Sequence, residues 1–132
     1  MLPCQNASCT LTLSPLLTHG IVVASQLTRT IMQWFMDQLF VDRDRDLQHE
    51  YASPLRREDL SGIAPATIIN AQHDPLCDHG TLYAQKLRSQ GVPVVHTIYG
   101  KALHGFFGSQ LGESDEAMAE GATALRFAFG LH

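Results

Sequence analysis

Two side chains in the second half of the chain have the types and the spacing of an acid–base pair. Asp74 directly follows an apolar run that predicts a strand, and His104 follows the next predicted strand after a short loop. Sites in parallel α/β sheets form at the carboxyl ends of the strands, so adjacent strands would bring the two loops side by side. A carboxylate that accepts the proton of one imidazole nitrogen fixes the tautomer and leaves the other nitrogen as a base.

The same residues also have ordinary structural explanations. Asp74-Pro75 is a typical turn initiator, and His104 would then be a loop histidine without a catalytic role. Asp78 either assists the site or caps the amino terminus of the following helix, and we favour the cap. Spacing alone leaves both interpretations of the pair open.

The elements needed to position this pair follow the order strand, helix, strand, helix. Residues 66–71 are almost continuously apolar, which predicts a strand buried on both faces, as in parallel sheets. A helix is predicted from about residue 78 to 90 with Gly91 at its C′ position, then a β-branched strand over 93–99 and a last helix over 114–129. This alternation predicts an α/β fold with a parallel sheet.

The first half of the chain predicts fewer elements. Residues 10–13 predict a short strand, and Thr28 predicts the N-cap of a helix that reaches about residue 40. Residues 42–46 alternate acidic side chains with Arg and predict a solvated loop or a helix end. Residues 51–55 are expected to be extended, because the residue before a proline avoids the helical region.

Met32 and Phe35 belong to the apolar stripe of the first predicted helix. Two structures would explain them. They either line an acyl pocket as substrate-binding residues or pack into the core, which is the commoner outcome for apolar residues at helical spacing. We therefore keep them as candidate substrate contacts beside the core interpretation.

Several motifs occur in an order that resembles an esterase family. They are DLSGIAPA at 59–66, DPLCDHG at 74–80, GVPV at 91–94 and HGF at 104–106. Over residues 51–129 their order and spacing resemble the hormone-sensitive-lipase-like branch of the α/β-hydrolases. Residues 27–40 also resemble a helix that helps to cover the substrate pocket in that family. Lys101 stands where the family usually has glycine, three residues before the histidine, and a side chain there would strain the turn that aims His104.

The resemblance implies an incomplete α/β-hydrolase fold: the C-terminal parallel strands with flanking helices and part of the pocket-covering region. It implies serine carboxylesterase or lipase-type hydrolysis of carboxylic esters, with Asp74 as the acid and His104 as the base of a Ser–Asp–His triad. We expect no cofactor and no metal. We expect one partial domain over 1–132, with a strand and cap-like helix in 1–50 and the βαβα region in 51–132.

The nucleophile of such a triad is not recognisable in this sequence. The family's serine lies in a G-x-S-x-G turn upstream of the acid, and none of the eight serines here has glycine both two before and two after it. No His-Gly-Gly-Gly block supplies an oxyanion hole, and losing even one oxyanion donor typically costs about 2.7–4 kcal/mol. We therefore expect a C-terminal esterase portion that is inactive by itself.

The composition argues against several other classes of protein. The 132 residues are 45% hydrophobic and 17% charged, which suits one globular domain. A net charge of −4 argues against a nucleic-acid-binding surface and offers no basic patch for an anionic membrane. The sequence contains no apolar run of about 18 residues, so we expect no membrane span. Three cysteines are too few for a disulfide framework, so we expect a reducing, cytoplasmic setting.

Two other functions stay open. The chain is either a non-catalytic binding or interaction module that reuses the sheet, or one half of a split hydrolase whose partner chain carries the serine. Only two or three strands are predicted, so an apolar sheet edge would be open. We therefore expect instability alone, self-association or completion by a partner chain. A small-molecule ester would bind only where the missing portion is supplied.

Overall fold

Helices flank a pair of strands in residues 27–110 and 112–131, which the computed structural model describes. In chain order the elements are α1 (Arg29–Leu39), α2 (Arg43–Asp46), a 3₁₀ helix (Pro54–Arg56), β1 (Ala66–His73), α3 (Cys77–Ser89), β2 (Val94–Leu103) and α4 (Ser114–Ala128). The predicted order of strand, helix, strand and helix is confirmed. The strand expected at residues 10–13 lies outside the described residues.

β1 and β2 pair in parallel, with α3 as the crossover between them. Successive side chains of a strand point to opposite faces. Side chains on one face form a cluster with α4: Ile69, Ala71, Tyr99, Ala102, Phe106 and Ala117. Side chains on the other face pack with α3: Ile63, Ala66, Ile68, Tyr83 and Val94 around the buried Leu60, Leu87 and Val92. α3 and α4 therefore cover opposite faces of the strand pair.

Gly91 ends α3 as the sequence predicts. Its φ is +80°, a left-handed conformation that glycine adopts without strain. The Gly91 N–H donates to the carbonyl of Arg88 and the Val92 N–H donates to that of Leu87, both at 3.1 Å. These two bonds form a Schellman motif, and the packing of Val92 against Leu87 completes it. The turn fixes where β2 begins.

α3 also holds the segment that precedes β1. Lys86 Nζ donates to the carbonyls of Leu55 at 2.7 Å and Arg57 at 2.5 Å. Gln90 Nε2 donates to the Glu58 carbonyl at 2.8 Å, and Gln90 Oε1 accepts the N–H of Leu60. Backbone groups that no strand partner satisfies are therefore bonded by side chains of one helix.

Core packing of α1 was expected and is wrong for the described part of the chain. The helix begins as predicted, with Thr28 Oγ1 accepting the N–H of Ile31 at 3.3 Å. It buries none of its residues, and the Trp34 and Phe35 side chains are more than half exposed. Periodicity identified the apolar stripe of the helix, but it does not say what covers that stripe.

The prediction that the first strand is buried on both faces is also wrong within the described residues. In β1 only Ala71 is buried, and its neighbours are half-buried or exposed. The reason is geometric, because among residues 27–110 and 112–131 each face of this pair of strands is covered by a single helix.

One further local prediction is wrong. Residues 51–55 are not extended, since Pro54 begins the 3₁₀ helix, where a missing N–H costs no bond. For residues 42–46 the prediction left a loop or a helix end open, and the structure has the one-turn helix α2, which Asp42 Oδ1 caps by accepting the Arg45 N–H.

Candidate active site

Asp74 and His104 lie in direct contact. His104 Nδ1 is 2.8 Å from Asp74 Oδ2. A carboxylate only accepts hydrogen bonds, so the imidazole donates from Nδ1–H. The Asp74 side chain is 16% exposed and that of His104 is 37% exposed. The imidazole is thus held on one side while part of it stays accessible.

The Asp74 carboxylate is oriented by the start of α3. The carboxylate Oδ1 accepts the N–H of Leu76 at 2.8 Å, and the backbone carbonyl of Asp74 accepts the N–H of Cys77 at 3.0 Å. Aspartate commonly bonds to the backbone two residues ahead, and this turn leaves Oδ2 free for His104. Asp74 therefore initiates a turn and binds the imidazole at the same time. Its interpretation as a turn initiator and its interpretation as the partner of His104 do not exclude each other.

A tight turn presents His104. The Phe106 N–H donates to the Leu103 carbonyl at 3.2 Å, and Gly105, the third residue of this turn, has a φ of +79°. A turn with positive φ at its third position favours glycine. The Phe106 ring is buried and lies 5.5 Å from that of Tyr99. His104 is thus fixed between a strand and a core side chain.

A bulge in β2 sets the register of the pair. Ala66 pairs with Val94, 28 positions further along the chain, whereas His73 pairs with Leu103, 30 positions further along. The two additional residues of β2 lie between Tyr99 and Leu103, opposite a single residue of β1. The shift places His104, rather than Ala102, opposite Asp74. β2 runs to Leu103, so the short loop expected before His104 is wrong, and Lys101 lies in the strand.

Cys77 and Asp78 stand close to the pair in sequence. Burial, with smaller contributions from Asp78 and Asp74, raises the pKa of the Cys77 thiol. A buried thiol that stays protonated is a poor nucleophile. The prediction that Asp78 caps α3 is wrong, because Leu76 occupies the N-cap and Asp78 lies within the first turn.

A polar group inside the strand pair was missed by the sequence analysis. Asn70 Nδ2 donates to the Cys77 carbonyl at 3.2 Å, and Asn70 Oδ1 lies 3.2 Å from His96 Nε2. Burial, and to a smaller extent the charge of Arg88, lowers the pKa of His96. An asparagine within an otherwise apolar run was the available signal, because a buried amide needs partners.

A cavity of about 330 Å³ lies between the 3₁₀ helix and α3. Residues 52–55 line one side of it, and His79, Gly80 and Tyr83 line the other. Met32 and Phe35, the candidate substrate contacts, are not among its lining residues and lie on α1. Asp74 and His104 do not line it either. The structure therefore brings Asp74 and His104 together, and the two α1 residues do not join them in this cavity.

Within residues 27–110 and 112–131, no three His, Cys, Asp or Glu side chains group closely enough to hold a metal ion. In the same residues, no helix is long and apolar enough to cross a membrane.

Comparison with known protein families matches residues 9–108 to the alpha/beta hydrolase fold. The chain is 42% identical to the carboxylic ester hydrolase LipN of Mycobacterium tuberculosis (strain ATCC 25618 / H37Rv). The aligned region of 92 residues covers 69% of this chain. The chain is 36% identical over 72 residues to an arylesterase of Saccharolobus solfataricus, which covers 54%. The chain spans 24% of the length of each of these relatives.

Solved structures give the same likeness. A hyperthermophilic esterase from the archaeon Pyrobaculum calidifontis superposes with a TM-score of 0.72 and 38% identity, covering 81% of this chain and 35% of its own. An α/β hydrolase enzyme from the metagenome of Lake Arreo, Spain, superposes with a TM-score of 0.75 and 32% identity, covering 83% of this chain and 35% of its own. At these identities the likeness extends beyond the fold to the sequence.

Proposed function

This chain belongs to the esterase-type α/β hydrolases, and from that premise we propose that Asp74 and His104 supply the acid and the base of a serine-dependent carboxylic-ester hydrolase. The observation that carries the proposal is the 2.8 Å contact between His104 Nδ1 and Asp74 Oδ2. The chain order, with the acid before the base, is that of the α/β-hydrolase triad.

The contact supports a definite sequence of proton transfers. With Nδ1–H bound to Asp74, the lone pair on Nε2 of His104 takes the proton of a serine hydroxyl as its oxygen attacks the ester carbonyl. Asp74 stabilises the imidazolium that forms, and the imidazolium then protonates the departing alcohol. Water, deprotonated by the same nitrogen, cleaves the acyl-serine and releases the carboxylic acid.

We expect the 132 residues to be inactive by themselves. No serine among them has the glycines of the G-x-S-x-G turn, so the nucleophile and the oxyanion donors come from other polypeptide. A split hydrolase, in which a second chain supplies the serine, is one form of this proposal. The expectation agrees with the 24% of the relatives' length that the chain spans.

Carboxylic esters are the proposed substrates. The relatives are named a carboxylic ester hydrolase, an arylesterase and, in Pseudomonas putida, an ethyl acetate hydrolase. Met32 and Phe35 remain candidate contacts for the acyl group. The Phe35 side chain is 54% exposed and therefore accessible to a substrate. Neither a cofactor nor a metal is needed for this chemistry.

An activity-based probe tests the proposal. The chain is recovered from its own cells with whatever is bound to it, treated with a fluorophosphonate and assayed with p-nitrophenyl butyrate. We expect the probe to label a partner's serine and never this chain, and we expect H104A to abolish both labelling and hydrolysis. His49, in an exposed turn, gives the matched control H49A. Unchanged hydrolysis in H104A would overturn the assignment.

A non-catalytic interaction module is the second candidate function. The outer side of α4 favours it, since Met118, Leu125 and Phe129 recur at helical spacing and are 45–74% exposed. Absence of labelling anywhere, together with a well-folded monomer, would support this candidate over the hydrolase.

A further inference from the structure

A side chain of another element bonds one backbone amide in the bulge of β2. Between Tyr99 and Leu103 the strand has two more residues than β1 offers partners for. Lys101 lies in this segment, and its N–H donates to Oε2 of Glu113 at 2.9 Å. A hydrogen bond from an N–H to a carboxylate is charge-assisted, so this contact, although exposed, favours the bulged conformation.

Glu113 stands at the N-cap of α4 and is half-buried. A second carboxylate of the helix, Glu120, binds the same strand. It accepts the Thr97 hydroxyl at 2.7 Å and the Tyr99 hydroxyl at 2.8 Å. Glu113 and Glu120 are seven residues apart, about two helical turns, and therefore lie on one side of α4.

These contacts fall at alternate positions of β2, namely Thr97, Tyr99 and Lys101. The side chains of Thr97 and Tyr99 share one face of the strand. The amide of Lys101, which is bonded to Glu113, comes two residues after Tyr99. α4 thus contacts β2 just before and within the segment where the register changes. If residues 100–102 instead paired one for one with β1, Ala102 rather than His104 would stand opposite Asp74.

We propose that Glu113 is a positioning residue for His104, acting through the Lys101 amide and the β2 bulge. The inference rests on the proposed function of the Asp74–His104 pair, and it deepens that function by naming what holds the base in register. It also gives Lys101 a role, since its amide, not its side chain, makes the contact. Glu113 touches neither the imidazole nor a substrate in this scheme.

The experiment measures two signals in the full chain labelled with ¹⁵N. The first is the hydrogen-exchange rate of the Lys101 amide, and the second is the ¹⁵N signature of the His104 tautomer at pH 8. E113A removes the acceptor, whereas E113Q keeps an oxygen that can accept the same bond. Asp115, an exposed carboxylate in the first turn of α4, gives the control D115A.

We expect E113A to speed exchange at Lys101 about tenfold. We also expect it to replace the single Nδ1–H tautomer of His104 by a mixture of both tautomers. E113Q should restore the tautomer, and D115A should match the unmodified chain. A general loss of stability would not produce this pattern, because it would not distinguish E113A from E113Q by the His104 tautomer.

Unchanged exchange and an unchanged tautomer in E113A would overturn the inference. If E113A does not fold, the unmodified chain, labelled with both ¹⁵N and ¹³C, still decides, through the scalar coupling across the hydrogen bond from Lys101 ¹⁵N to the Glu113 carboxylate ¹³C. Absence of that coupling would overturn the inference. Failure of the proposed function looks different, since hydrolysis would then survive H104A whatever Glu113 does to the tautomer.

Discussion

Gly80 of α3 faces the side chain of Asn70 so closely that no side chain fits at position 80. A Cβ built there would clash with the amide of Asn70. That amide is already bonded to the Cys77 carbonyl and to His96. Glycine at this position therefore allows α3 to lie this close to β1.

Replacing Gly80 by alanine tests this packing. Asn70 has to move, which strains or breaks its two bonds, so we expect G80A to lower the free energy of unfolding by about 1–3 kcal/mol. Urea unfolding measures the change. Gly100 gives the control, because a Cβ there meets nothing within 4 Å, and G100A should shift stability by no more than about 0.5 kcal/mol. Equal effects of the two variants would contradict the prediction.

Replacing Asp74 by asparagine tests the acid. The amide can present N–H to the imidazole and so favour the wrong tautomer, and we expect kcat for ester hydrolysis to fall by about 10⁴-fold. The assay uses the chain together with the polypeptide that carries the serine. Asp78, four residues on and exposed, supplies D78N as a control, for which the rate should stay within about twofold. A small effect of D74N would remove the catalytic role of the acid.

Burial lowers the pKa of His96 below its ordinary value of 6.5, so the folded chain favours the neutral imidazole. The unfolded chain then binds more protons, and the free energy of unfolding should fall as the pH drops below 6.5. H96Q keeps a donor for Asn70 Oδ1 but does not titrate, so its stability should depend less on pH. Unfolding at pH 5 and pH 7.5 measures this, and H49Q should keep the dependence of the unmodified chain.

Tyr99 is neutral over a wide pH range, because burial, assisted by Glu120, raises its pKa from 10.0 to about 12. The folded chain therefore holds this proton more tightly, and the stability it contributes is lost as the pH rises from about 10 to about 12. At pH 7, Y99F should be less stable by about 1–3 kcal/mol, since a bond to a carboxylate is lost.

The difference between Y99F and the unmodified chain should then shrink through that alkaline range. Denaturant unfolding at pH 7, 10 and 11.5 measures it. Tyr51 is 81% exposed, so Y51F is the matched control and should change little. A difference that stays constant with pH would contradict the assignment of the titrating group to Tyr99.

Self-association is expected for the isolated chain. The two strands form a sheet whose described residues include exposed Val95 and Ile98, and open edges of this kind recruit further strands. Sedimentation at several micromolar concentrations should show species above the 14.5 kDa monomer. A V95K variant, which places a charge on the edge strand, should reduce them, whereas a sharp two-state melt of a monomer would contradict the expectation.

Local patterns in the sequence predicted the elements well. The β-branched run, the Gly91 signal and the turn residues located β1, α3 and β2 to within a few residues, because each depends on neighbours in the chain. The position of Asp74 and His104 after adjacent parallel strands followed from topology, and their contact is confirmed.

What could not be predicted depends on partners distant in sequence. Nothing local announces that β2 gains two residues opposite β1, that Asn70 meets Gly80, or that Glu113 accepts the Lys101 amide. The exposure of α1 was missed for the same reason, since a stripe at positions such as Phe35 records apolarity but not what lies over it.

The two oxygens of Asp74 are divided between two neighbours, Leu76 on one side and His104 on the other. They belong to one rigid planar group, so a rotation that relaxes one bond disturbs the other. A displacement of the imidazole is therefore expected to disturb the hydrogen bond at the start of α3 through the Asp74 carboxylate. We expect the His104 ring and the start of α3 to move together, because the Asp74 carboxylate couples them.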